Sequence, residues 1–196
     1  MKSKSLLIIG AGGFGRTVAE AALLSCDWEK VDFADDSYPK QQQPEGYNVV
    51  ANTTDAAVIL ATYDGVVVAI GNNKVRMEKL QFLEQLNAPL VSIFHPKAII
   101  STRATIGVGS LVMAGAVVGA HAQIGKGCIL NPNAVADHDS VMEDFSHLGV
   151  GACIPGTARL MKGAWLRAGV SISYGDVVPE WLIAEPYRDF LSKSTT

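Results

Sequence analysis

The sequence predicts an α/β unit with a parallel sheet over residues 1–95, followed by a parallel β-helix over residues 96–196. Three observations carry this reading. Strand-like and helix-like segments alternate up to about residue 95. A glycine turn, Gly10-x-Gly12-x-x-Gly15, links the first strand to the first helix. From residue 100 the apolar pattern changes to a period of six.

In chain order, residues 6–9 form a short apolar run that predicts a buried strand. Residues 10–15 are the glycine loop, and residues 17–24, rich in Ala and Leu, predict a helix. Residues 31–34 predict a second strand that ends at Asp35 and Asp36. The Pro/Gln stretch 38–46 reads as a loop. Residues 53–60 predict a helix capped by Asn52 or Thr53. Residues 66–70 are a strong buried strand, followed by Gly71-Asn72-Asn73. Residues 74–86 have helical periodicity, and residues 90–94 read as the last strand. Strand–helix alternation of this kind argues for a reduced Rossmann-type sheet of about four or five strands.

In the second half, every sixth residue from Ile100 to Val178 is apolar, fourteen positions in all. At an apolar fraction of 48% such a run in a chosen frame has a chance of roughly 3 in 100,000. A small residue (Ala, Ser or Cys) stands four places after each of the first eleven, from Ala104 to Ala164. A period of six is the hexapeptide signature of a β-helix: one hexapeptide per side of a triangular coil, three per coil of 18 residues.

Composition narrows the function classes. The 196 residues carry a net charge of −3 and no Lys/Arg run, which argues against nucleic acid as a partner. The longest apolar runs fall far short of the ~20 residues of a membrane span. The stretch after Lys2 and Lys4 leads into a glycine loop and not a cleavage site, so no signal peptide is expected. Three scattered cysteines, Cys26, Cys128 and Cys153, read as reduced thiols of a cytoplasmic protein.

The glycine turn with Asp35 twenty residues after Gly15 is a dinucleotide fingerprint. It fits NAD or FAD, a nucleotide sugar, which shares the pyrophosphate and ribose, or a purely structural turn. Asp35-Asp36 also reads as a solvated strand end, and Asn72-Asn73 as a helix cap. Of the four histidines, His95 reads as a linker residue. His121 and His138 lie 17 residues apart, about one coil, whereas His147 is half a coil from His138. Within one subunit the three cannot converge on zinc, although across a subunit interface two faces could meet; no metal is expected. Flanking Asp137 and Asp139 can orient the His138 imidazole and raise its basicity.

The segments Ile-Ile-Gly-Ala-Gly-Gly-Phe-Gly, Asp35-Asp36, Ala69-Ile70-Gly71-Asn72-Asn73 and Asp137-His138-Asp139, set in this order, resemble the sialic acid O-acetyltransferase type of sugar acetyltransferase. That family includes nucleotide-sugar 4-amino N-acetyltransferases. The resemblance implies a left-handed β-helix, a homotrimer with sites between subunits, acetyl-CoA as donor, and a UDP- or dTDP-linked amino sugar as acceptor. By motif position, Gly12, Gly13, Phe14, Asp35, Asp36 and Gly71 would bind the nucleotide sugar. His138 would be the general base and Asp139 its orienting partner. The Gly156 amide would stabilise the oxyanion, and His147, Gly156 and Ala168 would line the acetyl-CoA site. Transfer would be direct, without an acyl-enzyme. The chain departs from the family pattern at Phe14 or Gly13, where His or Ser is common, and at Glu185, where glycine is usual; Tyr187 and Phe190 are placed to cap the open coil. An O-acetyltransferase of a sialic-acid-like sugar and a non-catalytic NAD- or nucleotide-binding scaffold are the alternatives.

Overall fold

The computed structural model describes residues 4–39 and 47–186. The anticipated capping role of Tyr187 and Phe190, and most of the 38–46 loop, lie outside the described residues.

The N-terminal sheet is parallel and has the strand order β3-β2-β1-β4, with β1 Ser5–Ile9, β2 Lys30–Ala34, β3 Asn48–Ala51 and β4 Gly65–Val68. Period-two alternation in β1 feeds two cores. Leu6 and Ile8 pack on one side with Val18, Ala19 and Ala22 of helix α1 (Gly13–Leu24). Leu7 and Ile9 pack on the other with Leu80 and Leu83 of helix α3 (Asn73–Gln85). Gly15 permits the close approach of α1 to the sheet, since a Cβ there would stand 2.0 Å from the Gly10 carbonyl oxygen.

Three expectations change. β3 arises next to the stretch read as loop. The 53–60 helix shrinks to α2, Ala56–Ile59, continued by a 3-10 turn at Leu60–Thr62. The Asn52 carbonyl group of the side chain accepts from the amides of Thr54 and Asp55 and shapes the turn that precedes it. The 90–94 segment does not extend the first sheet as a strand. Leu90 makes one isolated bridge to Val66, and Ile93–Phe94 pairs with Leu111–Val112 instead, as the first rung of the β-helix.

From there the chain winds through fifteen two-residue strands in three parallel sheets of six, four and five strands. The first face carries Ile93, Leu111, Ile129, His147, Trp165 and Ile183 outward. The second carries Ile99, Val117, Val135 and Cys153, and the third Thr105, Gln123, Val141, Arg159 and Val177. Register is 18 residues per coil, for example Leu130 against Leu148 and Leu148 against Leu166. The stack is a left-handed parallel β-helix.

The period-six ladder is its interior. Val112, Val118, Ile124, Leu130, Ala136, Met142, Leu148, Ile154, Leu160 and Leu166 form one buried cluster, and Ala116, Ala122, Cys128, Ala134 and Ala152 fill its corners. Each large aliphatic side chain buried there contributes about 1.5–3 kcal/mol. Leu148→Ala would open a cavity and cost about 2–5 kcal/mol.

The two parts share a core. Ile93, Leu111, Met113 and Ile129 of the first face pack into the same cluster as α1. Phe145, at a coil corner, joins the α3 cluster. Arg76 of α3 is fully buried and donates to the carbonyl oxygens of Ile70, Gly71, Gly127 and Phe145 and to the Asn73 side chain. Burial pushes its pKa down to about 10. Asn73 donates in turn to the Gly163 carbonyl oxygen. Among the described residues no helix is long and apolar enough to cross a membrane.

Candidate active site

Asn72 caps α3, its side-chain oxygen accepting from the Lys74 and Val75 amides. This cap ends β4 at a turn that brings Gly71 over the first face of the β-helix. There the Gly71 carbonyl oxygen takes hydrogen bonds from Arg76 and from His147 Nδ1, at 3.2 Å each. A carbonyl only accepts, so Nδ1 carries the imidazole proton and Nε2 accepts from Asn131 Nδ2 at 2.7 Å. His147 is 4% exposed and stacks on Trp165 with ring centroids 4.4 Å apart. Burial, then the nearby Arg76 charge, pushes its pKa down to about 3. It is a neutral ring with a hydrogen bond at each nitrogen.

Trp165 also lies under the Arg167 guanidinium, 3.9 Å from the ring centroid, and Arg167 Nε donates to Glu185 Oε1 at 3.2 Å. These residues wall a cavity of about 400 Å³ between the two parts of the chain. Phe14 and Gly71 line it from the N-terminal side; His147, Trp165, Arg167, Ala168 and Glu185 line it from the coils. Phe14, Gly71, His147 and Ala168 thus meet, although they were read from separate motifs. No motif in the sequence points to Asn131, Trp165 or Arg167. The signal for Trp165 was its place 18 residues after His147, hence one coil above it.

The glycine loop opens toward solvent. A Cβ on Gly12 or Gly71 would meet nothing within 4 Å, and one on Gly13 would meet only Arg16, at 3.9 Å. The fold itself makes no demand for glycine at these three places. Asp35 and Asp36 are turned onto their own chain. Asp35 accepts from the Ala11 amide at 2.8 Å and from the amide and hydroxyl of Ser37. Burial pushes its carboxyl up, but these hydrogen bonds outweigh that and hold it below the ordinary value. Asp36 accepts from the amide and hydroxyl of Thr53.

His138 sits at the corner between the second and third faces, opposite the face that bears His147. Its Nδ1 is 2.9 Å from Asp139 Oδ2, so Nδ1–H donates and Nε2 is left as the free base. Asp139 adopts φ 57°, the left-handed conformation that the corner requires and that an Asp tolerates. The Asp139 hydrogen bond, then the Asp137 charge, raises the His138 pKa above the ordinary imidazole value. The ring lies against Gly156 of the next coil. The Gly156 N–H makes no hydrogen bond among the described residues. Neither His138, Asp139 nor Gly156 lines the cavity of His147. Among the described residues no three His, Cys, Asp or Glu side chains gather as metal ligands.

Comparison with known proteins places this architecture. Residues 5–83 match the PglD N-terminal domain. UDP-N-acetylbacillosamine N-acetyltransferase of Bacillus subtilis (strain 168) is 31% identical over 112 residues, which is 57% of this chain. The match spans about half, 52%, of that relative's length. The acetyltransferase domain of PglB from Neisseria gonorrhoeae FA1090 is 30% identical with a TM-score of 0.78, over 92% of this chain and 96% of that one. The same domain has been solved with acetyl coenzyme A, at 30% identity and a TM-score of 0.74 over 93% of each chain. A histidine-to-asparagine mutant of perosamine N-acetyltransferase from Caulobacter crescentus, bound to CoA and GDP-perosamine, is 27% identical with a TM-score of 0.73, over 92% and 91% of the chains. The fold is shared over more than nine-tenths of this chain and of each of these solved chains, and this chain, with its PglD N-terminal domain, belongs to the family of hexapeptide-repeat nucleotide-sugar N-acetyltransferases.

Proposed function

We propose that the chain transfers an acetyl group from acetyl-CoA to the 4-amino group of a UDP- or dTDP-linked amino-deoxy sugar, with His138 as general base. The observation that carries this reading is the tautomer of His138. Asp139 accepts a hydrogen bond from Nδ1–H and leaves Nε2, on a half-exposed ring, as a base with a raised pKa. The PglB domain and the perosamine enzyme bind acetyl-CoA, or CoA with a nucleotide sugar, in the same fold, which supports both ligands here.

In this reading the open glycines Gly12, Gly13 and Gly71 let the nucleotide sugar approach the backbone, and Phe14 forms the wall beside it. Asp35 and Asp36 reach the ligand only through lone pairs their own loops leave over. The thioester arm follows the coils past His147 and Ala168. As the amine nitrogen adds to the thioester carbonyl, His138 Nε2 removes a proton. The Gly156 N–H donates to the oxyanion, and collapse expels the CoA thiolate, which His138 reprotonates. No residue is acylated.

His138 lies on the corner opposite the cavity face, so one chain alone leaves base and cavity apart. We place the site between subunits of a homotrimer. The second face supports this: Ile99 is 65% exposed, and Val117 and Val135 continue an apolar column toward the His138 corner. The cytoplasm, where acetyl-CoA and nucleotide sugars meet, is the proposed compartment.

The test is an assay of the purified chain with acetyl-CoA and 4-amino sugars linked to UDP, dTDP and GDP, with light scattering on the same sample. Amide formation with a UDP or dTDP sugar by a trimer is expected. A monomer at micromolar concentration, or turnover of GDP sugars alone, would overturn the assembly or the nucleotide assignment respectively.

A further inference from the structure

We infer that Asp137 is a specificity-determining residue that selects an amine over a hydroxyl as the acetyl acceptor; the inference rests on the reading of His138 proposed above. On its Nδ1 side His138 is satisfied by Asp139. On the other side, Nε2 lies 3.9 Å from Asp137 Oδ2. With the imidazole neutral, both atoms are acceptors, and 3.9 Å is too long for a direct hydrogen bond. Asp137 is held in this position because its Oδ1 accepts the His138 backbone N–H at 2.7 Å. The pair therefore presents a gap bordered by a lone pair and a carboxylate oxygen.

One donor atom at ~2.9 Å from each can fill that gap, provided it carries two hydrogens. A primary amine does, and a hydroxyl does not. Nitrogen attack on the thioester carbonyl forms the C–N bond and moves the carbonyl π pair onto oxygen. The nitrogen then bears a positive charge and two hydrogens. Nε2 takes one, and the other stays on nitrogen, hydrogen-bonded to Asp137. Collapse re-forms the carbonyl, breaks the C–S bond, and the thiolate leaves with its electron pair and takes the proton from His138. The amide keeps its N–H toward Asp137. With a hydroxyl acceptor the single proton goes to Nε2, and the ester oxygen that remains offers Asp137 only lone pairs. A charged acceptor left without a donor is unfavourable, and more so as water is excluded.

The experiment uses the full chain, acetyl-CoA and two nucleotide sugars that differ only in NH2 or OH at the acceptor carbon. Wild type is expected to prefer the amine. Asp137→Asn keeps an oxygen for the His138 N–H but removes the charge. It should cut kcat/KM for the amine ~10- to 10²-fold while changing that for the hydroxyl far less, so that the selectivity ratio collapses. Asp137→Ser, whose hydroxyl accepts the same N–H, carries the test if the Asn variant loses the wild-type thermal midpoint. An unchanged ratio with both rates falling together would mean that Asp137 only shapes the corner, and the inference fails while the acetyltransferase reading stands. Wild type that prefers the hydroxyl also overturns it. Wild type that acetylates neither sugar overturns the acetyltransferase reading, and this inference with it.

Discussion

The imidazole of His138 fills the space that a side chain at Gly156 would occupy. A Cβ built on Gly156 would stand 2.6 Å from both Cε1 and Nε2 of His138. The two residues are 18 apart, one coil, so they share a corner of the β-helix. A glycine is needed there because the base lies on it.

This contact predicts that Gly156→Ala and His138→Ala act as one lesion. Loss of a positioned general base should lower kcat by ~10²–10⁴-fold. The Ala methyl at 156 should displace the half-exposed ring and lower kcat comparably. The double variant should be no worse than the poorer single one, because both remove the same function. Thermal midpoints of all three should stay near wild type, since the ring is outside the aliphatic ladder. Additive losses in kcat would separate Gly156 from the base.

The second prediction concerns pH. His138 must be neutral to accept a proton. The Asp139 hydrogen bond and the Asp137 charge both favour its protonated form. The acid limb of the kcat/KM profile should therefore fall above the ordinary imidazole value of 6.5. Asp139→Asn removes the larger cause, so its limb should move to lower pH while the plateau drops as the base weakens. A limb that moves upward in that variant, or stays fixed, would assign the titration to another group.

The third prediction separates glycines that bind from glycines that pack. Gly12 has φ −70° and ψ −174°, an extended conformation open to any residue, and no neighbour within 4 Å of a Cβ. Gly71 has the same open surroundings. Gly12→Ala and Gly71→Ala should leave stability within about 0.5 kcal/mol of wild type while weakening nucleotide-sugar binding, measured by calorimetry. Gly15→Ala, with its Cβ against the Gly10 carbonyl oxygen, should instead destabilise by about 1–3 kcal/mol. Unchanged affinity in both open-site variants would remove the glycine loop from the ligand site.

How much of this was legible follows from where the constraints are local. The β-helix could be read because each rung repeats the same inward residue at the same phase, from Ile100 to Val178, without an insertion to break the count. Its first rung was missed because an apolar run such as Leu90 to Phe94 fits a sheet strand equally well, and only the tertiary pairing with Leu111–Val112 decides. The spacing from Gly15 to Asp35 marked a true strand–loop–helix unit. It could not say that Asp35 would spend its oxygens on Ala11 and Ser37, because a loop amide and a ribose hydroxyl make the same demand on a carboxylate. Arg76 was invisible as a site residue: a lone Arg on a helix gives no hint that carbonyl oxygens from 51 and 69 residues away will converge on it.

The last prediction concerns His147 and stability. Its ring is buried and neutral, with Nδ1–H donating to Gly71 and Nε2 accepting from Asn131. Protonation would remove the acceptor at Nε2 and place a charge in a buried site near Arg76. The folded pKa is therefore about 3, against 6.5 for the free side chain. Below pH 6.5 the unfolded chain takes up a proton here that the folded chain refuses, so stability must fall as pH drops from 6.5 toward 3. His147→Gln removes that titration. At pH 8 the variant should be less stable, because stacking on Trp165 and one of the two hydrogen bonds are lost. As the pH falls to 5 the gap between variant and wild-type thermal midpoints should narrow, since only wild type carries the acid penalty. A gap that stays constant between pH 8 and 5 would mean that His147 is protonated as readily folded as unfolded, and the Gly71–His147–Asn131 bridge between the two parts of the chain would have to be redrawn.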